Sequence, residues 1–160
     1  PTLFRRQARQ PPFLMQLSPH HLRRPILLTA ATFAILFSLA AHAYPGGTHF
    51  NRHSTGHDFW RNTLCDVARS CALDGASNQT GAWLARCAMT VLAIGLGMLF
   101  YILPSWFAQN ERGTQLSKSV RTMAVIFVPF AIAVVFLPTD RFSALHGLAI
   151  VLAEIGRAHV

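Results

Sequence analysis

The sequence predicts an all-α, polytopic transmembrane helix bundle, on three observations. Of 160 residues, 52% are hydrophobic and only 12% charged, about half the ~25% charge of a typical soluble domain. Mean hydropathy is +0.35, and long uncharged runs recur between short polar stretches. The formal charge of +8 invites a nucleic-acid reading. Yet the basic residues flank the apolar runs, where they orient a membrane protein, and no polar domain carries a basic stripe. The expected partners are membrane lipids and no nucleic acid. Thirteen basic residues are Arg and one is Lys, which fits a GC-rich bacterial genome.

Residues 1–25, "PTLFRRQARQPPFLMQLSPHHLRRP", form a polar leader. Met15 is the only Met before the first apolar run and is expected to be the true start. Arg23 and Arg24 then precede "ILLTAATFAILFSLAAHAY", residues 26–44. That run can cross a roughly 30 Å hydrocarbon core at about 1.5 Å per residue. Ala41-His42-Ala43 also resembles a signal-peptide cleavage site. The run exceeds the roughly 7–15 residues of a signal core, so the expectation is an uncleaved first span.

A polar loop, 45–80, follows. The second span is expected over 82–108, with Trp83, Tyr101 and Trp106 as interfacial anchors. Arg86 can snorkel outward. "QNERGTQLSKSVR", residues 109–121, reads as a short polar turn. The third span covers 122–138 and contains Pro129, which should kink it. After "TDRF", a fourth span begins over 143–153 and stops at Glu154. "EIGRAHV" can be encoded by GAG ATC GGA AGA GCA CAC GTC, which looks like the start of a sequencing-library adapter. Residues 154–160 are therefore read as translated adapter, and residues 26–153 as one transmembrane domain with about four spans, the fourth cut short.

Arg5, Arg6, Arg9, Arg23 and Arg24 precede the first span. Arg112, Lys118 and Arg121 lie between the second and third. Arg52, Arg61 and Arg69 in the loop are balanced by Asp58, Asp66 and Asp74. Positive-inside logic places the N-terminus in the cytoplasm and the 45–80 loop outside, in a bacterial inner membrane.

The distinctive residues lie in that loop. "YPGGT" is a Pro-Gly turn. Asp58 can cap a helix. Trp60, Leu64, Val67, Ala68 and Cys71 then form one apolar stripe, with Asp58, Asn62, Asp66 and Arg69 on another face. The spacing predicts an amphipathic helix near 58–71 that lies at the interface or roofs an outward-facing pocket. Arg61, Arg69 or the "GASN" amides would hold Asp66.

The Pro-Gly turn, "NTLCD" (62–66) and the later "GASN" ending at Asn78 resemble a bacterial membrane family, domain-of-unknown-function family 998. The chain is more distantly similar to the Frag1/DRAM/Sfk1 group, which has a Ser-Asp pair where this chain has Cys65 and Asp66. The resemblance spans residues 26–153 and implies about six spans, with no established reaction.

Candidate sites follow from residue type. His49, His53 and His57 recur every fourth residue and could hold Zn²⁺ on a helix, but the surrounding glycines favour solvated loop histidines. No cofactor is expected. Cys65 and Cys71 could pair in an oxidising compartment; on one continuous helix they would lie too far apart. Asp66 and His146 are the candidates for catalysis, because an ionisable group inside a span invites a functional reading. No hydrolase signature accompanies them. The leading reading is a non-enzymatic or lipid-interacting membrane protein. The alternatives are a lipid head-group hydrolase using Asp66 and His146, and a small-solute transporter.

Overall fold

The computed structural model describes residues 19–106 and 111–158. The polar leader up to residue 18, including Met15, lies outside the described residues. The described chain runs α1 (Pro19–Ala43), α2 (Leu64–Val67), α3 (Gln79–Ile102), a 3₁₀ turn (Leu103–Trp106), α4 (Glu111–Phe136) and α5 (Thr139–Ala158). Two isolated antiparallel bridges, Gly46 to Thr55 and Cys71 to Ser77, are the β-type pairings among the described residues.

Each long helix grows from an apolar run. α1 begins at Pro19, where a missing amide costs nothing, and ends where Tyr44-Pro45-Gly46 turns the chain. α3 buries a face of small residues, among them Gly81, Ala82, Ala85, Ala88 and Gly95. Small side chains let two helices approach closely in a membrane. At Gly95 the approach is tightest, because a methyl group there would collide with the Thr29 hydroxyl of α1. α1 packs on α3, α3 on α4 and α4 on α5.

Among the described residues, three helices are long and apolar enough to cross a membrane: Arg23–Ala43, Gln79–Ile102 and Gln115–Phe136. Large apolar side chains such as Leu27, Leu28, Ile35 and Val125 face outward from them. Contiguous apolar surface of that kind needs an apolar solvent.

The boundaries differ from the sequence expectation in three places. The second crossing helix starts at Gln79 and gives way to the 3₁₀ turn at Leu103. Most of the expected 109–121 turn is helical, since α4 starts at Glu111. There Arg121 donates from Nε to the Tyr101 carbonyl (3.3 Å) and lies over the Tyr101 ring, satisfying a carbonyl near the end of α3. The stretch expected as a fourth span, 143–153, lies in α5, which is not among the three crossing helices. α5 breaks helical geometry at Phe142 (φ −134°, ψ 46°). Its backbone is helical through the adapter-like residues as far as Ala158; residues 159–160 lie outside the description.

The amphipathic helix expected near 58–71 does not form. Only Leu64–Val67 is helical, with turns on either side. The reason is local competition for backbone hydrogen bonds. Asn62 Oδ1 accepts from the Asp58 amide (2.9 Å) and Asp58 Oδ1 from the Trp60 amide (3.0 Å), which closes a turn. Thr63, not Asp58, is the helix cap. The predicted apolar stripe is split: Val67 and Ala68 are buried, while Trp60 is 89% exposed.

Candidate functional site: a polar cap on the helix ends

Residues 44–78 fold as a cap where α1 ends and α3 begins. Its core joins Tyr44, Val67, Ala68 and Ala72 to Ala40 of α1 and Ala85 of α3. Tyr44 is the post around which it closes. The Tyr44 hydroxyl accepts from the Leu73 amide (3.0 Å) and donates to the Gly47 carbonyl (3.4 Å). Burial pushes its phenol pKa up, so the hydroxyl keeps the proton it donates. Gly47 has φ +85°, and a methyl group there would overlap the backbone of Leu73 and Asp74. The PGG turn is thus fixed by close approach as well as by conformation.

Asp66, only 4% exposed, sits at the centre. Its Oδ2 accepts from the Thr63 amide (2.7 Å) and the Thr63 hydroxyl (3.0 Å). The Thr63 hydroxyl oxygen accepts in turn from the Asp66 amide (3.2 Å). This is a reciprocal capping box. Asp66 Oδ1 lies 3.1 Å from His49 Nε2, whose side chain is 53% exposed. The expected partners of Asp66 are used elsewhere: Arg61 pairs with Asp58 (3.7 Å), and Arg69 donates to the Cys71 carbonyl.

The two Asn residues of the family-like motif brace the same cap. Asn62 donates to the Gly47 carbonyl (2.9 Å). Asn78, buried, donates to the carbonyls of Val67 (2.8 Å) and Arg69 (3.0 Å). Arg86 reaches up from α3 to the Ala68 carbonyl and the Ser70 hydroxyl, both at 3.1 Å, and lies over the Trp83 ring. Asp140, at the start of α5, accepts from the amides of Ser70 (3.1 Å) and Cys71 (3.2 Å). Asn78 Oδ1, Arg86 Nε and Asp140 Oδ1 are buried without a protein hydrogen-bond partner. Ser70 therefore stands between a cation and a carboxylate that do not pair with each other.

The histidines go separate ways. His49 meets Asp66. His57 packs edge-on against Phe37 of α1 (6.0 Å between ring centres) and Tyr44 (6.2 Å). Burial lowers the His57 pKa against the opposing pull of the Asp58 and Asp66 charges. His53 is exposed. Among the described residues, no group of three His, Cys, Asp or Glu could hold a metal ion. His146 is buried and its Nδ1 lies 2.6 Å from the Leu137 carbonyl. A carbonyl can only accept, so Nδ1 carries the proton and caps the end of α4. Asp66 and His146 thus bond different neighbours.

All three cysteines are free thiols. The helix does stop by Ala68, yet Cys65 is half-buried and Cys71 exposed. Burial, then the Asp66 charge, pushes the Cys65 pKa up. The protonated thiol is a weak nucleophile. An open apolar groove of about 330 Å³ lies between α3 and α4, lined by Ile94, Gly97, Met98, Tyr101, Ala124, Val125 and Val128. It follows the last turns of α3, away from the cap.

No family model, curated protein or solved structure matches this chain.

Several cap residues escaped the sequence reading. Thr63 had a signal: Thr-x-x-Asp has the spacing of a capping box. Tyr44, Ser70 and Asp140 had none, since their partners come from distant parts of the chain.

Proposed function

We propose that this chain is a multi-pass, lipid-interacting protein of a bacterial inner membrane, without catalytic activity of its own. The N-terminus is cytoplasmic and the 44–78 cap is outside. One observation carries the reading: the polar groups that could do chemistry hold the cap's own backbone. Asn62, Asp66, Asn78 and Asp140 all bond loop amides or carbonyls. Asn62, Asp66 and Asn78 belong to "NTLCD" and "GASN", which also supports kinship with domain-of-unknown-function family 998. The Arg and Lys residues before α1 and around the start of α4 support the orientation.

Native Cys71 is an exposed reporter in the cap. In intact cells an impermeant maleimide should label it. Ser119→Cys in a background with Cys65, Cys71 and Cys87 all replaced by Ser should label only after permeabilisation. The reverse pattern would invert the topology. Purified protein in phospholipid vesicles should release no head group. Release that depended on Asp66 would overturn the non-enzymatic reading.

A second reading has one specific support. The half-exposed His49 ring is oriented by buried Asp66 at 3.1 Å, the arrangement of a general base held by a carboxylate. It would make the cap a lipid head-group hydrolase centred on His49 and Asp66, without His146. Head-group release abolished by His49→Gln would establish it.

A further inference from the structure

We infer that the turn over residues 57–60, held at the end of α1, inserts Phe59 and Trp60 into the head-group layer of the bilayer that the helices span. The inference rests on the membrane-spanning reading above and adds a lipid-contacting surface to it. Its first support is depth. Phe37, against which His57 packs, lies six positions before the end of α1 at Ala43. At about 1.5 Å per residue that is roughly 9 Å below the helix end. The His57 ring also meets Tyr44 (6.2 Å), and the Gly56 amide is tied to the Pro45 carbonyl, so the His57 side chain reaches down the flank of α1 from a backbone held at the helix end, with Phe59 and Trp60 within about 14 Å of that end.

The second support is exposure in a fixed frame. Phe59 is 72% and Trp60 89% exposed, and their rings stack edge to face at 5.2 Å. The turn that presents them is tied at several points. Asn62 Oδ1 accepts from the Asp58 amide, Asp58 Oδ1 from the Trp60 amide, and the Asn62 side chain reaches the Gly47 carbonyl. The Gly56 amide also bonds the Pro45 carbonyl at 2.8 Å. Two bare aromatic rings on a rigid turn cost free energy in water, while little ordering entropy is left to lose on insertion.

The third support is the company the rings keep. Arg61 follows directly, is exposed and pairs with Asp58 only at 3.7 Å, so it is placed to meet a lipid phosphate. On α3, exposed Trp83 lies in the second turn with Arg86 over its ring. Exposed Trp60 next to Arg61 in sequence and exposed Trp83 under Arg86 match the amphipathic belt at a membrane surface.

The test uses the full chain in phosphatidylcholine–phosphatidylglycerol vesicles. Resistance to alkaline extraction first checks the membrane-spanning reading on its own. The difference in fluorescence between wild type and Trp60→Phe then isolates Trp60 from the other two tryptophans. That difference should lose most of its intensity to lipids bearing a head-group or shallow acyl nitroxide, and little to iodide. In detergent, Phe59→Ser with Trp60→Ser should melt like wild type; in vesicles the pair should expose Arg61 to trypsin. An alkali-resistant protein whose Trp60 is quenched by iodide and spared by nitroxide lipids would overturn the inference while leaving the spanning reading intact. Capture of a soluble protein or a second copy by Trp60, with no lipid quenching, would overturn it equally.

Discussion

Replacing Asp66 with Ala should open the cap. The substitution removes the carboxylate half of the capping box and keeps the bond from the residue 66 amide to the Thr63 hydroxyl. It also leaves the Thr63 amide and His49 without their acceptor. Thr63 is exposed and His49 half-exposed, so both can turn to water, and the loss is that of one cap interaction, about 1–2 kcal/mol. Trypsin reads this directly, because Arg52, Arg61 and Arg69 all lie in the cap. While closing outruns cleavage, the rate follows the open population, and roughly 1–2 kcal/mol corresponds to about 5- to 30-fold faster cutting. Asp66→Asn retains an acceptor for Thr63 and should fall well short of that. Lys118→Ala, on exposed α4 surface, should change nothing. If Asp66→Ala is cleaved within about threefold of wild type in detergent, the carboxylate does not hold the cap. The His49–Asp66 pair would then be free for chemistry, and the hydrolase reading would take first place.

Two further outcomes test the cap's construction. Gly47→Ala places a methyl group against the Leu73–Asp74 backbone at φ +85° and should cost more than the roughly 1–3 kcal/mol of a strained residue; Gly56→Ala, at φ +68° with open space around it, should cost less, and equal trypsin sensitivity of the two would refute the close-approach argument. His57 is held neutral by burial, its pKa lowered from 6.5, so its contribution to stability is complete above pH 6.5 and falls as the pH drops toward the lowered value. Hydrogen exchange in the cap, corrected for intrinsic pH effects, should quicken on acidification through that window, and His57→Gln should flatten the response relative to wild type.

The sequence by itself determined the three crossing helices. Uncharged runs of that length have few alternatives, because a backbone in lipid must satisfy its own hydrogen bonds. The same local information supplied the Pro-Gly turn that ends α1, since it is written in neighbouring positions, whereas the buried face of small residues on α3 came from the structure. The cap was legible only as a set of residues. Asp58, Asn62, Cys65, Asp66 and Asn78 were singled out, but their arrangement was read through a helical period that does not hold. In that stretch short polar side chains compete with the helix for backbone groups, and local spacing cannot say which wins. Tertiary structure decided it. Burying Val67, Ala68 and Ala72 around Tyr44 needs a chain that turns at Asp58 and Asn62, and a straight helix would not deliver them. Long-range partners lie further from any sequence signal. His49 reaches Asp66 across 17 positions, and Asp140 reaches Ser70 across 70. The first pair is made by the fold of the cap itself; the second exists because α3 runs away from the cap and α4 runs back, which returns the start of α5 to the end where the cap sits.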